Sequence, residues 1–329
     1  MILIGLMNEL CNNSQNGVIM NPYYTEIEVD TWETARKLQL CMSKVTNWAF
    51  RGQRDAHWEL KTNFERQVEK FNTFIRKSNK DYLRREKLIL NEFKQRAHFY
   101  IKHLPDNDNL IEWLSLLQHY GTPTRLLDFS HSFYVAAFFA MEVSSSDCAI
   151  WALNLEAIEG ACEKVIKPIT DCNFYDQDED LDTLKFSNYI LNNEFTENLI
   201  TYTTPFRMHE RLSIQQGLFV FPCNLTNSFI NNLNSTLEND DNNLSLKRYR
   251  IEITDKIDYS IFNQWPLIKI IIPHDCHNSA LYDLKNMNIT AATLFPGLDG
   301  FARSLALYFR TNIFDGEFER VIKKNVITN

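Results

Sequence analysis

The stretch "LQHYGTPTRLLDFSHSFYVAAFFAME", residues 117–142, decides the fold. Its first half places a His, a Tyr, a Gly, a Pro, an Arg and an Asp in close order, and its second half is apolar with helical spacing. Ser132 stands where an N-cap would stand, so the pattern predicts a short, nearly all-apolar helix over 133–142. A plain connection does not need so many polar residues. We therefore expect His119 to Ser130 to form the wall of a pocket that the buried helix anchors.

Hydrophobic periodicity on both sides of this stretch predicts a mixture of strands and helices. The predicted strands lie at 45–53, 148–155, 217–222 and 267–273. The predicted helices lie at 30–40, 80–103, 110–119, 278–287 and, after a turn at Pro296 and Gly297, up to 309. The mixture indicates an α+β or α/β class. Two segments do not fit regular elements: 171–182 is acidic and reads as an exposed excursion, and 223–245 is Asn-rich and reads as a mobile insertion.

Composition narrows the classes of function. A chain of 329 residues fits one large domain or two modest ones. Its formal charge of -8 means that no overall positive field attracts nucleic acid or an anionic membrane. A local basic groove is still compatible with this charge. Seven cysteines without a CxxC pair argue against a disulfide framework and against a zinc site, so we expect no metal and a reducing, cytoplasmic location. The start, MILIGLMNELCNN, lacks the basic region of a signal peptide, and no apolar run reaches the roughly 18 residues of a membrane span.

Three polar motifs fall at the ends of predicted elements. In the first, Phe50–Arg51–Gly52, the Arg leaves a strand end beside a Gly that lets another group approach the backbone. A guanidinium there suits a phosphate, and the alternative is a surface ion pair.

The second motif is the polar half of the opening stretch. Arg125 and Asp128 flank two leucines, and Ser130 precedes a helix N-terminus, where an anion or a polar ligand is favoured. His119 and Tyr120 could reach the same space, and a purely structural His119 stays an equal alternative.

The third motif is "HERLSIQQGLFVFP", residues 209–222. Gln215 and Gln216 would sit at the mouth of a buried strand, and the strand period puts only one of them inward. Surface amides are common, so this motif alone is weak.

Together these motifs resemble the FRG domain family, named for the Phe-Arg-Gly at 50–52. The matching pieces run in order as "FRGQ", "LQHYGTPTRLLDFS", "VAAFFA", "IWALN", "RLSIQQGLFVF" and "ATLFPGLDGFARSL". Phe129–Ser130 stands where the family often has Trp-Thr. The resemblance implies an FRG domain over 45–310 with insertions near 171–199 and 223–245, an N-terminal helical extension over 1–44, and a tail over 311–329.

The order of the motifs is also similar to that of ADP-ribosyltransferases of the Arg–Ser–Glu type. This likeness implies an α+β fold with a split β-sheet core and peripheral helices, and NAD as the substrate. Arg51 would support the diphosphate and ribose, and Ser130 would be the middle Ser. Gln215 or Gln216 stands where the catalytic Glu is expected, and Glu210 lies upstream. The expected catalytic residues are Gln216, Gln215, Ser130 and His119, and the expected cofactor-binding residues are Arg51, Gly52, Tyr120, Arg125 and Asp128.

The expected function is an NAD-dependent mono-ADP-ribosyltransferase that acts as a toxin or an anti-phage effector. Its acceptor would be RNA, DNA or protein, and a cognate antitoxin or inhibitor protein would restrain it. An acceptor of nucleic acid would need a local basic patch on the long helix, and the alternative for that patch is a solvated helix face. Its residues are Arg84, Arg85, Lys87, Lys94 and Arg96. Two other functions stay open: a non-catalytic nucleotide or nucleic-acid binding module, and a hydrolase of NAD.

Overall fold

A computed structural model describes residues 24–71, 78–170, 187–237, 248–252, 256–257 and 259–309. These residues form eight strands: β1 (Thr25–Val29), β2 (Trp48–Gln53), β3 (Leu127–Ser130), β4 (Cys148–Asn154), β5 (Ile200–Thr203), β6 (Gly217–Pro222), β7 (Arg248–Ile251) and β8 (Leu267–Ile272).

The described residues also form thirteen α-helices, with 3-10 turns at His274–Cys276 and Leu305–Phe309. The helices are α1 (Trp32–Met42), α2 (Asn63–Lys70), α3 (Asn79–Ala97), α4 (Leu110–His119), α5 (Phe133–Met141), α6 (Leu155–Thr170), α7 (187–192), α8 (Glu210–Ile214), α9 (Phe229–Leu237), α10 (Ser260–Gln264), α11 (His277–Asn286), α12 (Ala291–Leu294) and α13 (Leu298–Ser304).

All eight strands join one mixed sheet in the order β5-β6-β3-β2-β4-β8-β1-β7. β1 runs parallel to both β7 and β8, and the other neighbouring pairs are antiparallel. Antiparallel pairing without regular strand–helix alternation defines an α+β fold, and the class predicted from the sequence is confirmed.

Helices cover both faces of the sheet, because alternate strand residues point to opposite sides. On one face, α1, α5 and α11 pack on Ile150 and Ile270 in a continuous buried cluster. On the other, α4, α6 and α9 pack on Trp151 and Leu218 in a second cluster. The predicted helix α5 begins as expected, since the Ser132 hydroxyl accepts a hydrogen bond from the Val135 amide at 3.3 Å.

The centre of the sheet contains a junction that positions the site. β2 pairs with β4 along its whole length, but its register with β3 comprises one pair, Phe50 with Ser130. β3 pairs along its whole length with β6 instead. A Cβ atom at Gly52 would lie 2.0 Å from the Ala136 carbonyl oxygen of α5, so only glycine allows β2 and α5 to approach this closely.

The described part of the expected N-terminal extension is not separate from the sheet domain. β1 lies between β8 and β7, and the buried side of α1 packs in the core through Leu38. The sequence did not predict β1, because TEIEV has only five residues and two of them are charged. The described residues of 1–44 therefore belong to the same domain as the rest of the sheet.

The two expected insertions are also partly core. α7 buries Ile190 and Leu191, and α9 buries Phe229, Leu233 and Leu237. The Asn-rich segment was thus wrongly interpreted as mobile over its first half, where an apolar stripe at every fourth residue holds it against the sheet. The acidic excursion at 171–182, the second half of the Asn-rich segment from 238 on, and the tail at 311–329 lie outside the described residues.

Two negative findings concern the described ranges alone. No helix in them combines the length and the apolar character needed to cross a membrane. No group of three or more His, Cys, Asp or Glu side chains in them is arranged to hold a metal ion.

Candidate functional site

A cavity of about 320 Å³ opens where β2 and β3 stop pairing. Strands β2, β3 and β6 and helices α4, α5 and α8 contribute to its wall. Its polar lining residues are Arg51, Asn63, Ser115, Gln118, His119, Asp128, Ser130, His209, Arg211 and Gln215. Its apolar lining includes Phe50, Phe129, Phe139 and Phe219. Polar groups that converge on a concave wall with aromatic side chains are typical of a small-molecule site.

Arg51 projects from β2 into the opening between the strands. Its Nη1 donates to the Asp128 main-chain oxygen at 2.5 Å, which fixes the guanidinium plane. Its Nε is buried and has no hydrogen-bond partner among the described residues. Burial lowers the pKa of Arg51 and the Asp128 charge raises it, and the group stays protonated. A fixed, incompletely satisfied cation is suited to an anionic ligand.

Arg211 supplies a second guanidinium to the cavity, and it was not among the site residues predicted from the sequence. It lies on α8 with its guanidinium carbon 4.3 Å from the ring centre of Phe295. Arg303 stacks against the same ring at 4.2 Å and pairs with Glu142. Burial lowers the pKa of Arg211, whereas Asp128 raises it. Its only signal in sequence was the Glu210–Arg211 pair before a strand, which is no different from a surface ion pair.

Two imidazoles lie side by side in the cavity wall. The rings of His119 and His209 are 4.4 Å apart. Burial, together with the neighbouring His119 and Arg211, lowers the pKa of His209 to about 4. Burial and the Arg211 charge also lower the pKa of His119. Both rings are therefore neutral near pH 7.

The hydrogen bonds of the two imidazoles give them different chemistry. His209 caps α8, because its Nδ1 accepts from the Leu212 amide at 3.1 Å. A neutral ring that accepts at Nδ1 carries its proton on Nε2, so His209 is a hydrogen-bond donor toward a ligand. The Nδ1 atom of His119 is buried and has no partner among the described residues. No hydrogen bond among the described residues therefore fixes the tautomer of His119, so one of its ring nitrogens is available as a proton acceptor.

Asp128 is the one carboxylate among the described residues that line the cavity. Its Oδ1 accepts from the Gln118 amide at 2.7 Å. The Gln118 side-chain oxygen in turn accepts from the Thr124 hydroxyl. The turn at 121–124 therefore holds the carboxylate in one orientation through α4.

Ser130 and Gln215 line the cavity, but their hydrogen bonds tie elements together. The Ser130 hydroxyl donates to the Gln215 main-chain oxygen at 2.7 Å and accepts from the Ser132 amide at 2.9 Å. The Gln215 side-chain Nε2 donates to the Leu294 main-chain oxygen at 2.9 Å. Ser130 thus joins β3 to the end of α8, and Gln215 joins α8 to α12.

Three other expected site residues lie outside the cavity lining. Gln216 sits in a turn before β6 with a φ of 48°, and its main-chain oxygen accepts from the His131 amide at 2.9 Å. Tyr120 ends α4 and is 61% exposed. Arg125 is 1% exposed, and its Nε lies 2.9 and 3.0 Å from the two carboxylate oxygens of Glu86. The structure thus corrects the cofactor-binding assignment of Arg125, because a buried ion pair uses its guanidinium.

The basic patch expected on the long helix lies on α3, away from this cavity. Lys87 donates to the Asn192 main-chain oxygen and Lys94 to that of Asn107, each at 2.7 Å. Arg96 pairs with Glu92 one turn earlier. Two of the five cations therefore hold neighbouring parts of the protein, and a third pairs within α3 itself.

The fold and the cavity define an α+β domain with a cationic, aromatic-walled pocket at its central strands. Residues 46–148 match the model of the FRG domain family, and the resemblance to that family seen in the sequence is confirmed over this segment. The matched segment carries Arg51, His119, Asp128 and Ser130. Comparisons with curated proteins and with solved structures give no match.

Proposed function

We propose that the protein transfers ADP-ribose from NAD to a macromolecular acceptor. The observation that carries the proposal is the convergence of two guanidinium groups, a carboxylate and two neutral imidazoles on one aromatic-walled cavity. The break in pairing between β2 and β3 also supports an ADP-ribosyltransferase-like split sheet. In this proposal Arg51 keeps the role that the sequence resemblance gave it.

Arg51 and Arg211 are assigned to the diphosphate of NAD. Both are cations, and both line the same cavity as Asp128. Each guanidinium can make two hydrogen bonds to phosphate oxygens. Loss of one such group costs about 2–5 kcal/mol of binding, which is roughly 30-fold or more.

The carboxylate of Asp128 is assigned to the sugar. Cleavage of the bond between nicotinamide and ribose leaves positive charge on the sugar carbon, as in glycoside hydrolysis. An oriented carboxylate stabilises that charge, and neither Gln215 nor Gln216 can do so as well because an amide is neutral. Asp128 would thus take the part of the Glu that the sequence lacks.

The two imidazoles are assigned to different partners: His119 to the acceptor and His209 to the bound NAD. The electron pair of the broken bond leaves with nicotinamide, and the acceptor atom forms the new bond to the sugar carbon. The proton lost by the acceptor passes to His119, the ring with an unused nitrogen. His209 donates from Nε2 to a ligand oxygen, and Ser130 and Gln215 act as positioning residues.

The same cavity favours a second candidate, a binding module for a nucleotide. The specific observation is the pair of amides, Gln215 and Gln216, in the place expected for the catalytic Glu. In that case the cations still bind NAD, but no bond is broken. With water as acceptor, the same site would hydrolyse NAD.

One experiment separates these functions. The purified protein is incubated with a cell lysate and NAD labelled in its adenosine half. Label on macromolecules supports transfer, free nicotinamide without labelled macromolecules supports hydrolysis, and NAD binding without either supports the module. We expect transfer by the wild type and at least roughly 30-fold less by Arg211→Ala. Arg36→Ala, which removes a surface ion pair with Asp283 at 3.0 Å, is the matched control.

A role as a toxic effector is part of the proposal. Induced expression of the wild type should arrest growth of a bacterial host, and Asp128→Asn should relieve the arrest at equal protein levels. Equal growth arrest by the wild type and the variant would show that the toxicity does not depend on catalysis. Suppression of the arrest by a separately encoded protein would identify the expected antitoxin.

A further inference from the structure

A second cavity of about 900 Å³ lies on the face of the sheet that carries Trp151. Its floor is formed by side chains of β1, β4 and β8, which are neighbours in the sheet. Residues 56–60 and helix α9 form its walls. Among the described residues the two cavities share no lining residue, so the second is a separate site and the proposed transferase chemistry does not use it.

The charges around the second cavity are mainly negative. Glu26, Glu28, Glu59 and Asp147 line it, against one lysine, Lys269. The Lys269 ammonium is 3.5 Å from Glu26 and 5.1 Å from the centre of the Trp151 ring, so it is already engaged. Glu28 and Glu59 also have cationic neighbours, Arg250 at 3.9 Å and Lys61 at 4.0 Å, but both carboxylates stay exposed. The surplus of carboxylates in the lining therefore favours a cation over the diphosphate of NAD.

An unsatisfied acceptor is buried in the same wall. Asn234 of α9 is 4% exposed and lines the cavity. Its Oδ1 is buried and has no hydrogen-bond partner among the described residues. A buried polar atom without a partner is unfavourable, and a hydrogen-bond donor brought by a ligand would satisfy it. This amide points to a ligand with N–H groups, independently of the carboxylates.

Aromatic rings complete the cavity. Tyr24 packs edge-on against Trp151 at 5.0 Å. Trp58, which is 37% exposed, has the Arg54 guanidinium 4.9 Å from its ring centre. Such surfaces pack against methylene groups and attract cations at their faces.

We infer that this second cavity binds an alkylammonium ligand, whose charged nitrogen contacts the carboxylates and Asn234 while its methylene groups lie against Trp58 and Trp151. A free polyamine and a lysine side chain of a bound protein share this chemistry. Both carry an N–H donor, a positive charge and an apolar stem. The protein would therefore bind a second ligand at a site separate from that of NAD.

The test is titration calorimetry of the full chain with spermidine and, in a second arm, with an acetylated and amidated Gly-Lys-Gly peptide. Saturable binding of spermidine identifies a polyamine site, and binding of the peptide alone identifies a lysine site. Asn234→Leu and Glu28→Gln should each weaken binding about tenfold or more. Asn234→Asp should strengthen it, which a purely structural role for Asn234 would not produce.

The controls address folding and nonspecific attraction. Glu33→Gln removes an exposed carboxylate from the first turn of α1 and should leave binding unchanged. Circular dichroism of each variant establishes that it is folded. Three results would overturn the inference: no binding in either arm, equal heats with Mg²⁺ at the same ionic strength, or binding by Asn234→Leu and Glu28→Gln that equals the wild type.

Discussion

Replacing Arg125 by methionine should destabilise the protein strongly without touching the cavity. Arg125 and Glu86 are 1% and 5% exposed, and they form a pair with three short N–O contacts between α3 and the turn that leads into β3. The variant leaves the Glu86 carboxylate buried and without its cation. Loss of one partner from a buried pair costs about 3–5 kcal/mol. That cost is a large part of the roughly 5–15 kcal/mol of a typical domain.

The measurement is urea denaturation followed by circular dichroism, with the free energy of unfolding taken from the linear fit. The double variant Arg125→Met/Glu86→Met removes both charges and should recover most of the loss, since a well-packed apolar pair is often no less stable than an ion pair. Arg207→Met is the surface control: its pair with Asp106 spans 3.6 Å with both side chains more than half exposed, and the expected change is below about 1 kcal/mol. The reasoning is refuted if Arg125→Met changes stability no more than Arg207→Met, or if the double variant is as unstable as the single one.

Two further predictions concern packing and pH. Gly52→Ala forces a Cβ to within 2.0 Å of the Ala136 oxygen and should lower the free energy of unfolding by about 1–3 kcal/mol or more. Gly160→Ala is the control: it lies in a helix with open space around it and should raise the free energy of unfolding by about 0.5–1 kcal/mol. Equal unfolding midpoints for the two variants would contradict this reasoning. Burial holds the pKa of His209 at about 4 in the folded chain, below the ordinary value near 6.5. The unfolded chain therefore takes up the proton first, so the stability that this group contributes is complete above pH of about 6.5 and is lost as the pH falls toward about 4. His209→Asn, which keeps a capping side chain, should flatten the fall of the melting temperature over that window, and a wild-type slope in this variant would contradict the assignment.

The elements predicted from sequence were those whose local pattern matches their burial. Helix α4 was placed correctly because an apolar stripe ends at Gly121, and α5 because Ser132 caps an all-apolar run. β3 was missed because four residues, LDFS, alternate too briefly to distinguish a strand from a turn. α9 was misinterpreted because its asparagines resemble a loop, although Asn232 donates to the Asn224 main-chain oxygen at 2.9 Å and so stabilises the fold.

Site residues were harder to predict than elements, because a polar side chain does not reveal its partner. Arg51 and Arg125 look equally suited to a phosphate in the sequence. The difference between them is Glu86, which lies 39 residues before Arg125 and meets it only in the folded chain. Arg211 was overlooked for the converse reason, since only the tertiary fold turns α8 toward β2.

The placement of β1 has a consequence for biosynthesis. This strand is made more than 200 residues before both of its neighbours, β7 and β8. Its amide and carbonyl groups stay unpaired with the sheet until that late part of the chain leaves the ribosome. Pairings so distant in sequence close slowly, so the nascent chain exposes an open strand edge until both neighbours have been translated. A chain that stops before β7 would expose this edge permanently and would be a natural substrate for chaperones and proteases.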